Sequence, residues 1–382
     1  MTEHTSEKNQ HADSILTVDL ESLIANYRFL SGISGQASCS AVVKADAYGL
    51  GVDYVAPALE KAGCTLFFTA NLDEAIALRT ILPNSDIAVF HGLGLGQEQF
   101  FIEHNLIPVL NSTDQLYLWT VASINSQQKL PAILHIDTGM NRLGIPFNDF
   151  SSLIETKNFQ ESLHELDFRY VMSHLACASQ PKHPLNLIQL ERARQIKRLL
   201  PQIPLSLANS YGTFLGAEYH FDMIRPGCAL YGINRLYDPH NPAEQNNNPI
   251  HQVVTLTSHI IQIHTIDTTQ PVGYGATREV RAGSILATIP VGYADGYLRS
   301  LTGNAWVVIG RTRAPVVGSV SMDTITVDIT GVEEEYCRTG QAVRLIGSGC
   351  RVDRVADWAE TIGYEVLTRL GSRFKRVYKG IT

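Results

Sequence analysis

Short apolar runs alternate with helical patterns through the first 235 residues, and this alternation constrains the fold more than any other feature of the chain. The segments between the runs, such as 19–30, 73–82 and 187–200, carry apolar residues at helical spacing. The runs are Ala41–Lys44, Thr65–Thr69, Ile87–Phe90, Ile107–Leu110, Ala132–Ile136, Arg169–Ser173, Leu205–Ala208 and Met223–Arg225. Eight strand–helix units over about 220 residues predict a (β/α)₈ barrel, with a doubly wound open sheet as the rival architecture.

The pattern changes after residue 240. Residues 237–250 are rich in Pro and Asn and lack periodicity, which predicts a linker. The β-rich runs beyond it are punctuated by Gly and Pro, as in a small antiparallel barrel or sandwich, and one helical segment, 351–362, follows them. We therefore expect an α/β chain: an N-terminal (β/α)₈ TIM barrel over 14–240 and a smaller, mostly-β domain over 250–382. Residues 1–13 are polar and are expected to form a disordered tail.

Charge and cysteine usage exclude several classes of function. The chain has 382 residues and a formal net charge of −7 without a long run of one sign, which disfavours a nucleic-acid partner because phosphate backbones need a basic face. The six scattered cysteines lack a C-x-x-C pair, which is typical of free thiols in a reducing compartment. Residues 1–13 lack an apolar signal core, and no run of 18 apolar residues occurs. We expect a soluble, cytoplasmic protein without a membrane partner.

Ionisable and hydroxyl side chains recur at the C-terminal ends of the predicted barrel strands, where this fold builds its active sites. They are Lys44, Asp137, Arg142, His174, Asn209, Ser210 and Arg225. One such residue alone would be interpreted as a solvated strand end, but their recurrence at one face favours a site. A lysine at an apolar barrel mouth loses hydration, and the lowered pKa makes it a usable base or a nucleophile for Schiff-base formation.

The loops after the seventh and eighth strands, 209–212 and 226–228, supply a hydroxyl and backbone N–H groups where barrels of this kind often bind phosphate. A lysine together with phosphate-binding loops suggests pyridoxal phosphate, although loop composition alone supports this weakly. No metal site is predicted, because His164, His174 and His183 lack metal-ligand spacing.

A set of longer motifs sharpens this interpretation. The first is Val-Val-Lys44-Ala-Asp-Ala-Tyr48-Gly-Leu-Gly. The others are Asp137-Thr-Gly-Met-Asn-Arg142-Leu-Gly, Ser-His174-Leu-Ala, Ala-Asn209-Ser210, Arg225-Pro-Gly227, Val-Gly-Tyr274-Gly-Ala, Val-Gly-Tyr293-Ala-Asp-Gly, Ser-Met322-Asp323 and Gly-Tyr364-Glu-Val-Leu. In order and in content these motifs resemble those of the alanine racemases, a family of pyridoxal-phosphate enzymes that combine a barrel with a β-domain. The resemblance covers nearly the whole chain after residue 15.

The resemblance implies how the cofactor would be held. Lys44 would carry pyridoxal phosphate covalently, and Arg225 would face the nitrogen of its pyridine ring with His174 beside it. The residues expected to bind the cofactor are Lys44, Tyr48, His174, Asn209, Ser210, Arg225, Gly227, Cys228 and Tyr364. Since a guanidinium group stays charged, Arg225 would not protonate the ring, which would then be a weaker electron sink. That arrangement suits racemisation of an amino acid and disfavours transamination.

The resemblance also implies two catalytic bases, Lys44 and Tyr274, one on each face of the substrate, because racemisation removes a Cα proton on one side and returns one on the other. A phenol is a poor base at neutral pH, so a neighbouring cation such as Arg142 has a clear use. Arg142 and Met322 would contact the substrate, alanine. The residues expected from the second subunit of a homodimer are Tyr274, Met322 and, at the entrance, Tyr293 and Asp323.

One position departs from the family pattern. Many members have a lysine two residues before Asp137 that reacts with CO₂ to form a carbamate supporting the substrate arginine, whereas this chain has His135 there. Something else must then hold Arg142, a bound anion being one candidate. His135 is equally compatible with a packed histidine of the barrel interior.

Three alternatives to a racemase of L- and D-alanine, which would supply D-alanine for peptidoglycan, remain open. The first is a racemase of the same family with a different or broader amino-acid specificity. The second is a related barrel-fold decarboxylase, which is expected to carry an acidic residue at the ring nitrogen, where Arg225 stands. The third is a non-catalytic pyridoxal-phosphate-binding protein, against which the β-domain with Tyr274 and Met322 argues.

Overall fold

The computed structural model describes residues 3–5, 9–238, 240–276 and 278–380, which form two compact units. The barrel unit comprises Asn26–Ala47 and Gly51–Leu230. The β unit comprises the described residues up to Ala25, the short segment Tyr48–Leu50 and the described residues from Tyr231 onward.

Eight short parallel strands close the barrel of the barrel unit. The first seven strands pair with their neighbours in chain order. The eighth strand pairs with the start of the first strand, and a β-bridge between Asn209 and Arg225 joins the segments that follow the seventh and eighth strands. The strands are Ser38–Cys39 with Ala41–Val42, Leu66–Thr69, Asp86–Val89, Ile107–Leu110, Leu130–Asp137, Leu166–Met172, Leu205–Ser206 and Met223–Ile224. The predicted (β/α)₈ barrel is thus confirmed, and each predicted run overlaps one of these strands. A further two-residue strand, Ile145–Pro146, pairs with Leu130–Asp137.

Helices cover the outside of the strands, so the strands are buried on both faces and appear in the sequence as nearly continuous apolar runs. Phe67, Phe68, Ile87 and Ile133, for example, are completely buried. The helices longer than one turn up to residue 230 are Leu20–Ile33, Lys44–Gly49, Val52–Lys61, Leu72–Ile81, Glu98–Glu103, Thr113–Ser126, Phe147–Leu153, Lys157–Glu165 and Pro184–Leu199. The segments 19–30, 73–82 and 187–200 lie almost entirely within three of these helices.

A mostly antiparallel sheet of ten strands forms the β unit. In spatial order the strands are Glu3–Thr5, Lys375–Lys379, Ile15–Asp19, Val254–His259, Ala342–Ile346, Trp306–Ile309, Thr312–Val317, Ile325–Asp328, Ile285–Ile289 and Gln262–Thr265. Gln270–Val272 and Arg278–Val280 form a separate two-stranded ribbon. The longest helices here are Pro242–Asn247, Val352–Trp358 and Gly363–Arg369. The predicted mostly-β C-terminal domain is confirmed as a fold class.

The N-terminal residues differ from the sequence-based expectation. Ile15–Asp19, which the predicted boundary of residue 14 assigns to the barrel domain, pairs with Val254–His259 and Lys375–Lys379 in the sheet of the β unit. Of the predicted tail 1–13, the backbone of Glu3–Thr5 pairs antiparallel with the last strand. Residues 1, 2 and 6–8 lie outside the described residues. Within the described ranges, no helix combines the length and the apolar character that crossing a bilayer requires.

Arg79 holds two loops of the barrel unit together. Its Nε donates to the carbonyl of His104 at 2.9 Å and its Nη2 to that of Asn105 at 2.8 Å, while Nη1 donates to the carbonyls of Leu82 and Ser85 at 2.9 and 2.7 Å. If the Arg79 side chain were removed, these carbonyls would lose their donors. Both loops would then be held less firmly, because buried carbonyls need hydrogen-bond partners.

We therefore expect Arg79→Met to destabilise the protein by about 2–4 kcal/mol, since several partly buried carbonyls lose their donors. The free energy of unfolding in urea, or the shift of the thermal midpoint, measures this loss. Exposed Arg28, substituted in the same way, serves as the control. Equal stability of the two variants would contradict the structural role of Arg79.

Candidate active site

Lys44 follows the first barrel strand and lies at the mouth of the barrel. Its Nζ is 5.7 Å from the centroid of the Phe90 ring, which belongs to the end of the third strand. Burial lowers the pKa of the Lys44 amine, the charge of Arg142 lowers it further, and the carboxylate of Glu74 opposes both effects. The amine is therefore easier to deprotonate than that of an exposed lysine.

The backbone after Lys44 is left-handed over one turn. Ala45, Asp46, Ala47 and Tyr48 have φ angles of 54°, 54°, 52° and 58°, and Gly49 has a φ of 80°. Each non-glycine residue in this conformation costs roughly 1–2 kcal/mol, so the turn persists only because surrounding bonds hold it. The carboxylate of Asp46 accepts a hydrogen bond from the backbone N–H of Val52 at 2.7 Å. Strain maintained beside a half-buried lysine indicates a functional constraint.

Arg225, at the end of the eighth strand, is only 2% exposed. Its Nη1 donates to the hydroxyl of Ser206 and its Nη2 to the carbonyl of Ser173. Its Nε–H has no acceptor among the residues that the structure describes. Burial lowers the pKa of Arg225 to about 9, so the group stays charged at neutral pH. The barrel thus holds a buried cation with one unused donor.

His174 and Asn209 end the sixth and seventh strands. The side-chain amide of Asn209 donates to the carbonyl of Leu175 at 3.1 Å and to Nε2 of His174 at 3.3 Å. Burial, and then the charge of Arg225, lowers the pKa of His174 well below its ordinary value, so the ring is neutral. With Nε2 accepting from the Asn209 amide, the ring proton is assigned to Nδ1.

The hydroxyl of Ser210 ties the seventh strand to the loop after the eighth. Its Oγ accepts the backbone N–H of Gly227 at 2.8 Å and that of Ala229 at 3.3 Å. Cys228, between those two residues, is buried and is not part of a disulfide. Both of the loops that the sequence singled out for phosphate binding are therefore joined through one serine.

His135 lies within the barrel on the fifth strand. Its Nδ1 is 2.7 Å from Oδ1 of Asn111, whose amide nitrogen donates to the carbonyls of Phe90 and Val109 at 2.8 and 2.9 Å. Because the Asn111 amide nitrogen is committed to two carbonyls, Oδ1 must accept the Nδ1–H of His135. Burial lowers the pKa of His135 to about 3, with the charge of Arg225 adding to the effect. His135 is a neutral, hydrogen-bonded histidine of the barrel interior.

Gln189 is a residue of this region that sequence reasoning missed. Its side chain is completely buried; Oε1 accepts from the N–H of Ala176 at 2.9 Å, and Nε2 donates to the carbonyl of His174 at 2.9 Å and to the hydroxyl of Thr138 at 3.1 Å. The Thr138 hydroxyl is 2.7 Å from that of Ser173, whose carbonyl binds Arg225. The one sequence feature that indicates this network is a polar residue, Gln189, at a position of the helix Pro184–Leu199 that faces inward.

The β unit carries its own group of predicted site residues. Tyr274 is 77% exposed, Met322 53% and Tyr293 43%, which is unusual for large side chains with so much apolar surface. Asp323 accepts a hydrogen bond from Nη1 of Arg373 at 2.8 Å. A cavity of about 760 Å³ lies here, lined by Tyr274, Tyr293, Ala294, Gly296, Leu298, Arg299, Ser319, Val320, Ser321 and Arg369.

Two further tyrosines predicted from the sequence meet within the β unit. The ring centroids of Tyr48 and Tyr364 are 6.4 Å apart in an edge-to-face arrangement, and Tyr48 is 4.6 Å from the ring of Tyr231. The short segment Tyr48–Leu50 is fixed there by Arg376, whose Nη1 donates to the carbonyl of Gly49 at 2.7 Å. Gly49 is required, since a Cβ on it would lie 2.8 Å from the carbonyl oxygen of Leu367.

The predicted residues thus form separate groups in the two units. The barrel unit brings together Lys44, Arg142, His174, Asn209, Ser210, Arg225, Gly227 and Cys228 at the ends of its strands, and the β unit holds Tyr48, Tyr274, Tyr293, Met322, Asp323 and Tyr364. No cluster of His, Cys, Asp and Glu with the arrangement of a metal site occurs among the described residues.

Comparisons with known proteins match two family models to successive parts of the chain. Residues 18–235 match the family model described as alanine racemase, N-terminal domain, and residues 253–378 match the one described as alanine racemase, C-terminal domain. The chain is 42% identical over 379 residues to an alanine racemase of Brucella abortus (97% of this chain, 95% of the other) and 43% identical over 372 residues to one of Rhodospirillum rubrum (97% of each).

Solved structures are similar over the same length. A crystal structure of alanine racemase from Bartonella henselae with covalently bound pyridoxal phosphate superimposes with a TM-score of 0.89 at 38% identity, covering 96% of this chain and 99% of the other. The biosynthetic alanine racemase from Pseudomonas aeruginosa gives a TM-score of 0.84 at 30% identity, covering 97% of this chain and 100% of the other.

Proposed function

Because the chain belongs to the alanine racemase family, it is an isomerase, and we propose that it interconverts L- and D-alanine in a two-base reaction with pyridoxal phosphate held on Lys44. One observation carries the proposal: adjacent strands of the barrel end in an amine with a lowered pKa, Lys44, and in a buried guanidinium, Arg225. The covalently bound pyridoxal phosphate of the Bartonella henselae neighbour supports the choice of cofactor.

The residues present fit this cofactor. The Nε–H of Arg225, which lacks an acceptor among the described residues, suits a pyridine nitrogen that carries no proton. The hydroxyl of Ser210 accepts two backbone N–H groups and keeps its own proton to donate to a phosphate oxygen. We assign Tyr48, Gly227, Cys228 and Tyr364 to the same phosphate, and His174 and Asn209 to the ring. When bound, pyridoxal phosphate supplies a conjugated ring that withdraws electrons from the Cα of the amino acid.

In this mechanism the Lys44 amine takes a proton from Cα on one face of the substrate or returns one to it. Burial and the charge of Arg142 favour the deprotonated amine, which is the form that can act as a base. Arg225 keeps a positive charge in the barrel without giving up a proton, because a guanidinium with a pKa of about 9 remains protonated at neutral pH. Arg225 would thereby contact the pyridine nitrogen without protonating it, and a bound pyridoxal phosphate would supply a weaker electron sink.

We assign the second base to Tyr274 of the partner subunit in a homodimer. Tyr274 is 77% exposed. Met322 and Tyr293 of the same unit are also strongly exposed, as expected of side chains that a partner would cover. Arg142 and Met322 are proposed to contact the alanine, and Tyr293 and Asp323 to line its entrance. The D-alanine formed in the cytoplasm would enter peptidoglycan.

A mixing experiment tests the shared site. Tyr274→Phe and Lys44→Ala should each be inactive and dimeric, because each lacks one of the two bases. Mixed and allowed to exchange subunits, they should regain up to about a quarter of the wild-type activity per protein mass, since half of the dimers are then mixed and each holds one complete site.

The control is the exchange itself, followed with one variant carrying an affinity tag. Tyr117→Phe, at an exposed tyrosine of the helix Thr113–Ser126 outside the proposed site, keeps both bases and should remain active alone. If tagged and untagged subunits have exchanged and no racemisation returns, the second base does not come from the partner subunit.

The substrate is tested by offering the purified protein a panel of L-amino acids and measuring the decay of optical rotation. We expect alanine to react with the highest kcat/KM and larger side chains to react much more slowly. Equal rates for several amino acids would point to the broader-specificity racemase instead.

A further inference from the structure

The side chain of Glu74 binds the backbone at the C-terminal ends of the first and second barrel strands. It lies in the first turn of the helix Leu72–Ile81, and its two carboxylate oxygens have different partners. Oε1 accepts the backbone N–H of Ala45 at 2.9 Å, and Oε2 accepts that of Ala70 at 2.8 Å. The N–H of Ala45 belongs to the peptide group that Lys44 forms with its successor. Glu74 therefore ties the peptide of Lys44 to the end of the second strand.

The bond to Ala45 lies where the chain needs support. Ala45 is the first of the four consecutive non-glycine residues with positive φ, a conformation that is unfavourable for residues with a Cβ. Asp46 supports the far end of the same turn through the N–H of Val52. Two carboxylates thus hold the left-handed turn, one at each end, and hydrogen bonds from N–H groups to ionised carboxylates are about twice as strong as neutral ones.

We propose that Glu74 is a positioning residue for Lys44, which fixes the direction in which the Lys44 side chain leaves the first strand and contributes a negative charge to the surroundings of its amine; this inference rests on the proposed role of Lys44. No feature of the sequence marks Glu74 for such a role. It stands in an ordinary helix N-terminus whose cap is Asn71, with Oδ1 of Asn71 accepting the N–H of Glu74 at 3.0 Å.

The charge of Glu74 adds to the geometric effect. Three influences act on the Lys44 amine: burial and Arg142 lower its pKa, and Glu74 raises it. Lys44 in turn contributes to the lowered pKa of His174. Glu74 therefore opposes the loss of basicity that burial and Arg142 cause in the Lys44 amine.

Glu74→Gln separates this role from general stability, because the amide has the same shape but can accept only one of the two N–H groups and carries no charge. The matched control is Glu60→Gln, whose carboxylate accepts from the hydroxyl of Ser85, at the start of the third strand and thus at the opposite end of the barrel. Full-length protein freed of cofactor is labelled with an amine-specific reagent across a pH series, and the modified peptide is quantified by mass spectrometry. Hydrogen exchange of the peptide containing Ala45 is measured on the same samples.

In Glu74→Gln we expect the pKa of Lys44 to fall, because the carboxylate charge that opposes the effects of burial and Arg142 is lost. The Ala45 amide should exchange at least about tenfold faster, and kcat of the cofactor-loaded enzyme should fall about tenfold with a smaller change in KM. Glu60→Gln should leave all three readouts unchanged. Unaltered Lys44 titration and unaltered exchange at Ala45 in a folded Glu74→Gln variant would overturn the inference. A wild-type protein that fails to racemise alanine contradicts the proposed function instead, and the titration of Lys44 remains readable in that case.

Discussion

Substituting Lys44 with alanine is expected to reduce racemisation of alanine by at least about 10³-fold, because the change removes one catalytic base together with the anchor of the cofactor. The pKa of this amine is lowered by its burial at the barrel mouth, so no exposed lysine can substitute for it. The rate is followed as D-alanine formed from L-alanine. Borohydride reduction of the wild-type protein should fix the cofactor on the peptide that contains Lys44.

Lys129 provides the control for this substitution, since it is exposed and lies just before the fifth strand, away from the strand ends that carry the site. Lys129→Ala should retain the wild-type rate and the wild-type labelling. Cofactor fixed on any lysine other than Lys44, or a Lys44→Ala protein that racemises at the rate of Lys129→Ala, would show that Lys44 has been assigned the wrong role.

Arg225→Glu is expected to slow racemisation well over tenfold, which corresponds to more than about 1.4 kcal/mol of barrier. A carboxylic acid can donate a proton to a pyridine nitrogen, whereas the guanidinium of Arg225 stays charged. The substitution would therefore make the cofactor ring a stronger electron sink. Transamination, measured as pyruvate formed per alanine racemised, should therefore increase. The barrel supplies two neutral partners to this position, the hydroxyl of Ser206 and the carbonyl of Ser173.

Arg225→Lys is the matched comparison, because it keeps a basic group at this position but replaces the two separate donors Nη1 and Nη2 with a single nitrogen, Nζ. It should lose activity through displaced contacts and leave the ratio of pyruvate to racemised alanine near that of the wild type. Cofactor content and thermal stability are measured for both variants. An unchanged ratio in a folded, cofactor-loaded Arg225→Glu protein would falsify the electronic role and leave Arg225 as a structural cation only.

The order of the barrel elements was predictable from the sequence because each strand is covered on both faces. Runs such as Ile107–Leu110, which the structure reproduces residue for residue, contain apolar side chains at every position, and the helices between the runs show a period of 3.6. The candidate site follows from the same pattern, since the last residue of each run, or the one after it, lies at the same end of the barrel. Lys44, His174 and Arg225 could therefore be singled out before any contact was known.

Other features were decided by contacts between distant parts of the chain. The apolar run that begins at Ile15 contains nothing that distinguishes a barrel strand from a strand of the β sheet, and only its pairing with Val254–His259 and Lys375–Lys379 assigns it. The eighth barrel strand, Met223–Ile224, is too short to form a convincing pattern, yet its bonds to Ser38–Cys39 close the barrel. Pairing partners are not encoded in local periodicity, because periodicity reports which faces are buried and not against what.

The sequence by itself thus determined the strand and helix order, the mostly-β character of the C-terminal part and the strand ends that carry Lys44 and Arg225. Only the tertiary structure showed the contacts of Glu74 and Gln189, whose side chains bind backbone groups of Ala45 and His174 that lie 29 and 15 residues away in the chain. It also revealed the left-handed turn that begins at Ala45. The physical reason is that burial depends mainly on each residue's own hydrophobicity, whereas a hydrogen bond or a strained φ depends on which distant groups the fold brings within about 3 Å.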